Sequence, residues 1–261
     1  MVLRVFHKTI NYLFVLSFIA FSGCTHLTKN DDRETAELHM QIALSFIQKE
    51  NYPSALRELL TAQEIDSRNP FIQSNLAYVY YMRDHLDLAE KHYRRSIELK
   101  PDFTDAKNNL ARLYIERGKY SLAIPLLKEA LKDLTYNDYP KIYTNLGVLE
   151  FKRGRYDLSK IYFKKALEYN QDDCANRLYL GRSLLELKDV PTASLELNRS
   201  LNSCRNLSSD DAYFYSAIAL FRNNEREKAM LRFEEMMRLY PNGKNTRQAK
   251  EMLDYIRKGT L

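Results

Sequence analysis

The chain has 261 residues, of which 45% are hydrophobic and 28% are charged, with seven glycines, no tryptophan and a formal net charge of +6. This length and hydrophobic content suit one or two ordinary globular domains. The mild charge is scattered between apolar positions, which argues against a nucleic-acid-binding protein, because such proteins carry a basic stripe with stacking aromatic side chains.

Residues 1–23 predict a signal peptide for export. Two basic residues precede an apolar run at 10–21, which is too short to span a bilayer comfortably. The sequence FSGC at 21–24 resembles a bacterial lipobox, with Phe in place of the usual Leu. In that resemblance Cys24 receives lipid and becomes the mature N-terminus; the alternative is a plain secretory signal with an incidental cysteine. Thr25, rather than Asp, follows the cysteine, which by analogy with enterobacterial lipoproteins favours the outer membrane.

Residues 24–35 are expected to form the lipidated N-terminus and a tether. The sequence after the cysteine, THLTKNDDRET, has no apolar periodicity. Fully extended, this segment reaches roughly 35 Å. We therefore expect the rest of the chain to lie close to the membrane surface, facing the periplasm.

Residues 36–243 contain a repeat with a period close to 34 residues. A small residue in the first half of each repeat recurs as Ala43, Ala77, Ala111, Gly147, Gly181 and Ala217. A second small residue recurs in the second half as Ala55, Ala89, Ala123, Ser159, Ala193 and Ala229. Both columns have the spacings 34, 34, 36, 34 and 36, so two insertions fall at the same junctions, near Asp138-Tyr139 and Ser208-Ser209.

The repeating unit resembles the tetratricopeptide repeat, as residues 70–103 show best. A small and an aromatic residue mark each half of this stretch, and Pro101 closes it. In such repeats each helix hairpin leaves an apolar face that only the next hairpin can cover. The sequence therefore predicts an all-α tetratricopeptide-repeat solenoid, a right-handed superhelix with six helix hairpins at 36–243 and a capping helix and tail at 244–261.

Large side chains in the second halves should pack against the small residues, because Gly, Ala or Ser lets helix backbones approach closely. These side chains, which we interpret as core, are Tyr93, Leu127, Phe163, Leu197 and Phe233. Proline should open four helices, where its missing N–H costs nothing, at Pro53, Pro70, Pro140 and Pro191. Pro125 instead falls inside a second helix and should bend it. Gly118 and Gly154 mark two hairpin turns.

Two cysteines remain once Cys24 is assigned to lipid, and an exported chain meets an oxidising compartment. Cys174 opens the first helix of the fifth repeat and Cys204 follows its second helix. Antiparallel helices of one hairpin place those two ends side by side. We expect a disulfide between them; the alternative is two unpaired buried cysteines.

Catalysis is not indicated. The sequence has no Gly-rich phosphate loop, no G-x-S-x-G elbow and no H-E-x-x-H motif. Its five histidines do not cluster, and His85 and His92 have no cysteine nearby to complete a metal site. We expect a non-enzymatic protein with no metal, no cofactor and no small-molecule substrate.

The first helices should line a groove that is unusually apolar and aromatic for a repeat array. Such a groove suits an amphipathic helix or an extended apolar peptide. The alternative is that some of these side chains pack between adjacent hairpins. The candidate partner-binding residues are Phe71, Tyr78, Tyr81, Met82, Asn108, Arg112, Ile115, Val148, Phe151, Leu178, Leu185, Phe214, Ile218 and Phe221. The carboxylate clamp of chaperone adaptors is not matched, because Met40 and Leu44 stand where it has Lys and Asn.

The whole chain resembles the outer-membrane tetratricopeptide lipoproteins of type IV pilus biogenesis, the secretin pilotins. Besides the lipobox and the repeats, the resemblance rests on ALKDLTYNDYPKIYTNLG at 130–147, NNLA at 108–111 and MMRLYPNG at 236–243. It implies a protein that binds secretin subunits and promotes their localisation to, and multimerisation in, the outer membrane.

Two alternatives remain open. The chain could be another periplasm-facing lipoprotein adaptor, for β-barrel assembly or for a periplasmic protease or peptidoglycan enzyme. It could also be an enzyme with an unrecognised site, although no nucleophile and base pair motivates that interpretation.

Overall fold

The computed structural model describes residues 31–204 and 209–259, and in those ranges it contains thirteen α-helices and no strand. The helices are α1 (residues 31–48), α2 (Tyr52–Ile65), α3 (Pro70–Met82), α4 (Leu86–Leu99), α5 (Thr104–Glu116), α6 (Tyr120–Ala130), α7 (Tyr139–Lys152), α8 (Tyr156–Tyr169), α9 (Cys174–Glu186), α10 (Val190–Ser203), α11 (Asp211–Arg222), α12 (Arg226–Leu239) and α13 (Thr246–Lys258). Helix α3 packs on α4, α7 on α8, α9 on α10 and α11 on α12 as hairpins, so the predicted all-α solenoid of hairpins is confirmed.

The signal peptide, Cys24 and most of the tether lie outside the described residues. Residues 31–35, which the sequence analysis placed in the tether, are helical. The carboxylates of Asp31, Asp32 and Glu34 favour the amino end of a helix through its dipole. All five residues are exposed, so this part of α1 shows no apolar periodicity by which it could be recognised.

Each hairpin turns through one residue in the left-handed conformation. These residues, with φ between 56° and 71°, are Glu50, Asp84, Gly118, Gly154, Lys188 and Asn224. The residue that follows each of them donates its N–H back into the preceding helix, as Lys119 does to the Tyr114 carbonyl over 2.8 Å. This bond satisfies a carbonyl at the helix end. Only two of the turns contain glycine, which is why the sequence analysis identified only those two.

The extra residues of the fourth repeat lie in the loop at 131–138, where the corresponding loop between α4 and α5 is only 100–103. Helix α6 contains Pro125 and has 11 residues, against 14 in α4. The second insertion was predicted near Ser208-Ser209, and of these two residues Ser208 lies outside the described ranges. The four prolines predicted to open helices stand at the first or second position of α2, α3, α7 and α10.

The predicted packing of large side chains on small residues is confirmed at both helical glycines. A Cβ atom built on Gly147 would lie 2.6 Å from Cε1 of Phe163, and one built on Gly181 would lie 2.7 Å from Cδ2 of Leu197. Both partners are fully buried. Helices α7 and α8, and likewise α9 and α10, therefore approach each other more closely than alanine would allow.

The described residues form two compact units that divide within α5, between Leu113 and Tyr114. Unit 1 contains α1 to α4 and the first part of α5, and unit 2 contains the rest of the chain.

Two links stabilise the C-terminal half of unit 2. Cys174 at the start of α9 and Cys204 after α10 form the expected disulfide, with their Cα atoms 4.9 Å apart. Asn245, just before α13, donates its backbone N–H and its side-chain Nδ2 to the buried carboxylate of Asp210, over 2.7 and 2.9 Å. Helix α13 covers the last hairpin with Ala249, Leu253 and Ile256, as a capping helix should.

Side chains 19 residues apart link the two helices of several hairpins. His39 Nδ1 lies 2.7 Å from Glu58 Oε2, and His92 Nδ1 lies 2.7 Å from Gln73 Oε1. The His92 ring also stacks on Tyr80, with ring centroids 5.3 Å apart. Burial, followed by the positive charge of Lys91, lowers the pKa of His92. These histidines have structural partners, and no group of metal-ligating side chains occurs in the described ranges.

Candidate functional site

An open groove of about 330 Å³ lies on the first helices of unit 1. Helices α1, α3 and α5 and the residue before α5 supply its lining: Leu44, Ile47, Phe71, Ser74, Asn75, Tyr78, Phe103, Asp105 and Asn109. We call this surface the unit 1 groove. Two of the predicted partner-binding residues, Phe71 and Tyr78, therefore lie together in it.

One end of the unit 1 groove is aromatic. Phe71 leaves 43% of its surface exposed and meets Phe103 edge to face, with ring centroids 5.0 Å apart. The Lys100 ammonium lies 5.0 Å from the Phe71 centroid and 5.3 Å from the Phe103 centroid. An exposed ring held by a second ring and a cation is a rigid apolar anchor that loses little entropy when a partner covers it.

Tyr78 and Tyr81 continue the predicted surface along α3. Burial, followed by the nearby Tyr78, raises the pKa of Tyr52 in the preceding hairpin. The guanidinium carbon of Arg112 lies 4.5 Å from the Tyr81 ring centroid, and the buried Nε of Arg112 has no hydrogen-bond partner. Met82, at the end of α3, is 41% exposed. The rings of Tyr78 and Tyr81, the Arg112 guanidinium and the Met82 side chain therefore lie near one another in unit 1.

The candidate residues of unit 2 have different surroundings. Phe151 is half-buried and lies edge to face with Tyr156 and Tyr179, at centroid distances of 5.4 and 5.3 Å. Val148 and Ile218 are half-buried beside the core. The ring centroid of Phe221 lies 6.2 Å from that of Tyr255 on α13.

Five of the predicted partner-binding residues do not line a surface. Asn108, Ile115, Leu178, Leu185 and Phe214 are each at most 8% exposed. Leu178, Leu185 and Phe214 lie in core clusters. The ring centroids of Phe214 and Phe233 are 6.0 Å apart. A first helix contacts both its own second helix and the neighbouring hairpin, so two of its faces are buried. Helical spacing alone does not separate these faces from the one that lines a groove.

The sequence analysis also missed lining residues of the unit 1 groove, among them Ile47, Phe103 and Asn109. Leu44 was noted only as a departure from the carboxylate clamp. It directly follows the small residue Ala43, as Tyr78 follows Ala77 and Arg112 follows Ala111. That shared position in the repeat is the signal that could have identified Leu44.

None of the helices within the described ranges combines the length and the apolar character that crossing a membrane requires.

Comparison with known families identifies tetratricopeptide repeats in both units. The family descriptions match residues 74–139, 108–173 and 211–243. Together these matches cover the second to fourth and the sixth of the predicted hairpins.

Among curated proteins, a tetratricopeptide repeat-containing protein, trd-1 of Caenorhabditis elegans, is 28% identical over 117 residues, which are 44% of this chain and 15% of trd-1. The type IV pilus assembly protein PilF of Pseudomonas aeruginosa is 27% identical over 112 residues, which are 43% of this chain and 44% of PilF. The matched segments therefore span less than half the length of either relative.

Two solved structures extend the likeness. That of Pseudomonas aeruginosa PilF has a TM-score of 0.74 and 21% identity, and it covers 85% of this chain and 99% of PilF. That of PilW, described as a widely conserved type IV pilus biogenesis factor, has a TM-score of 0.75 and 18% identity, and it covers 82% of this chain and 97% of PilW. At these identities the likeness shows the fold.

Proposed function

The chain belongs to the tetratricopeptide-repeat proteins, and from that premise we propose that it is an outer-membrane lipoprotein scaffold of type IV pilus biogenesis, a pilotin. Cys24 carries the lipid anchor, and the repeats face the periplasm. The scaffold binds secretin subunits and promotes their outer-membrane localisation and multimerisation.

The observation that carries the proposal is that PilF and PilW, two proteins of type IV pilus biogenesis, are matched along nearly their whole length. A fold likeness that spans the complete repeat array supports a shared role better than a likeness of single repeats, which occur in many unrelated proteins. The lipobox at 21–24 and the segment at 130–147 support the same role.

The unit 1 groove is the part of the molecule that fits partner binding best. Its Phe71, Phe103 and Tyr78 side chains offer a large apolar area. The cation Lys100 lies against Phe71, and Arg112 lies against the neighbouring Tyr81. Aromatic and arginine side chains dominate the energetics of protein interfaces. An apolar segment of a secretin subunit, shielded in this groove until assembly, has the required chemistry.

The function is tested in the source bacterium with the chromosomal copy replaced by variants. In Cys24→Ala cells we expect the protein to leave the outer-membrane fraction, because multiple acyl chains are needed for stable anchoring. With Tyr78→Ala and Tyr81→Ala combined, we expect the protein to stay in the outer membrane while secretin multimers and surface pili decline.

The controls separate this role from other adaptor roles. Tyr78→Phe keeps the ring and removes only the hydroxyl, so it should support normal multimers. If deletion of the gene leaves secretin multimers unchanged but lowers the abundance of other outer-membrane β-barrels, the protein is an adaptor for barrel assembly and the pilus role is wrong.

A further inference from the structure

Arg182 on α9 is enclosed by three aromatic rings from three successive first helices. Its guanidinium carbon lies 4.2 Å from the ring centroid of Tyr215 on α11, 4.8 Å from that of Phe151 on α7 and 4.9 Å from that of Tyr179 on α9. All four residues are half-buried and belong to unit 2. We call this cluster the Arg182 cage. Cation–π attraction to several partly desolvated rings fixes the position of the guanidinium.

Unlike Arg177 and Arg153, Arg182 has no ionic partner among the described residues. On the same helix, Arg177 Nη1 lies 2.7 Å from Glu196 Oε2, and on α7 Arg153 Nη1 lies 2.9 Å from Glu150 Oε1. Within the residues that the structure describes, Arg182 lies over three aromatic rings and has no ion pair or hydrogen bond. A guanidinium has five N–H donors in one plane, so rings that cover its faces leave those donors for a ligand.

The same position of the repeat carries a second arginine. Arg112 follows the small residue Ala111 as Arg182 follows Gly181, and it lies over one ring, that of Tyr81. Its buried Nε has no hydrogen-bond partner. A buried donor without a partner is unfavourable. An arginine lying over an aromatic ring occurs at this repeat position in both units.

We propose that the Arg182 cage binds an acidic side chain, Asp or Glu, of an extended segment of a partner protein. The unpaired guanidinium and a carboxylate are complementary in charge and match in planar, bidentate geometry. An apolar residue next to the acidic one packs against Phe151 or Tyr215. Because α7 and α11 flank Arg182 on both sides, a segment can cross the cage without ending there. This contact lies in unit 2, and it depends neither on the unit 1 groove nor on the identity of the partner.

The test uses nuclear magnetic resonance of the purified protein, following the side-chain Nε–Hε signal of Arg182, which is assigned by its loss in Arg182→Lys. The probe is the dipeptide Phe-Glu, acetylated and amidated so that its only charge is the side-chain carboxylate. We expect a saturable shift of the Arg182 signal with a dissociation constant on the order of 1 mM. The uncharged analogue Phe-Gln should give no saturable shift, and this comparison requires no variant to fold.

Variants then assign the binding to the cage. In Arg182→Lys, which keeps the charge but loses the bidentate geometry, backbone amide shifts around Tyr215 should report binding about tenfold weaker. Arg226→Gln, at the exposed start of α12, removes an equal charge outside the cage and should bind Phe-Glu as the parent does. Equal binding of Phe-Glu and Phe-Gln, or unchanged affinity in Arg182→Lys, overturns the proposal. Preference for acetylated Phe-Gln with a free C-terminal carboxylate also overturns it, because the cage would then bind chain termini.

Discussion

Replacing Gly147 by alanine is the sharpest test of how the hairpins pack. The added Cβ would lie 2.6 Å from Cε1 and 2.8 Å from both Cδ1 and Cζ of Phe163. Phe163 is fully buried and stacks on Tyr179 with centroids 5.4 Å apart, so a shift of the ring would disturb this stack. Overpacking of this kind costs about 1–3 kcal/mol, while Gly to Ala in a helix interior gains about 1 kcal/mol.

With overpacking at the middle of its range, we therefore expect Gly147→Ala to lower the free energy of unfolding by about 1 kcal/mol. Urea unfolding followed by circular dichroism measures the change. The matched control is Gly147→Ala combined with Phe163→Leu, since removal of the ring should make the double variant about 1 kcal/mol more stable than the sum of the single effects predicts. If Gly147→Ala is as stable as the parent, helix propensity decides the outcome and the close approach of α7 and α8 does not.

Three further changes test other parts of the fold. Lys188→Gly should raise the free energy of unfolding by about 0.5–1 kcal/mol, because lysine is strained at its φ of 62°. Urea unfolding measures this change, and an unchanged or lower stability would refute the prediction. The cysteines of the Cys174–Cys204 disulfide are 30 residues apart in the sequence, and reduction of this bond should lower the free energy of unfolding by about 3.5 kcal/mol by the chain-entropy estimate. Reduction should also accelerate hydrogen exchange in α9 and α10 but not in α2. Equal acceleration in all three helices would contradict this prediction. The pKa of His92 is lowered in the folded state, so below about pH 6.5 the unfolded chain takes up a proton on His92 more readily than the folded chain does. The contribution of neutral His92 to the unfolding free energy is therefore fully present above about pH 6.5 and is lost as the pH falls below it. His92→Gln should therefore flatten the dependence of the unfolding free energy on pH below about 6.5, and an unchanged slope would exclude His92 as its source.

The hairpin architecture could be predicted from the sequence because its two columns of small residues are physical requirements of close packing. Gly147 and Gly181 show this most directly, since an added Cβ atom would overlap the facing Phe163 or Leu197 side chain. The left-handed turns could be predicted only where the chain has glycine. Glu50 and Lys188 adopt the same conformation because the packed helices on either side fix the turn, and their side chains carry no sign of it.

The candidate site could be predicted only in part, for a similar reason. Phe71 and Tyr78 lie in a groove because they stand on an exposed face of α3. Leu178 and Leu185 share their helical spacing but meet the neighbouring hairpin instead. Arg182 escaped notice because a charged residue in an amphipathic helix usually marks a solvated face, and only tertiary packing brings three rings around it.

The central claim is that the unit 1 groove binds a secretin subunit, and an affinity measurement between the two purified proteins tests it most directly. Truncating a central aromatic residue of an interface costs on the order of 2 kcal/mol, so Tyr78→Ala should weaken binding about thirtyfold. Tyr169→Ala, the same change at an exposed tyrosine of α8, should leave the affinity unchanged. If Tyr78→Ala binds as the parent does while Lys91→Glu on the exposed face of α4 abolishes binding, the partner surface lies on the second helices and the claim is wrong.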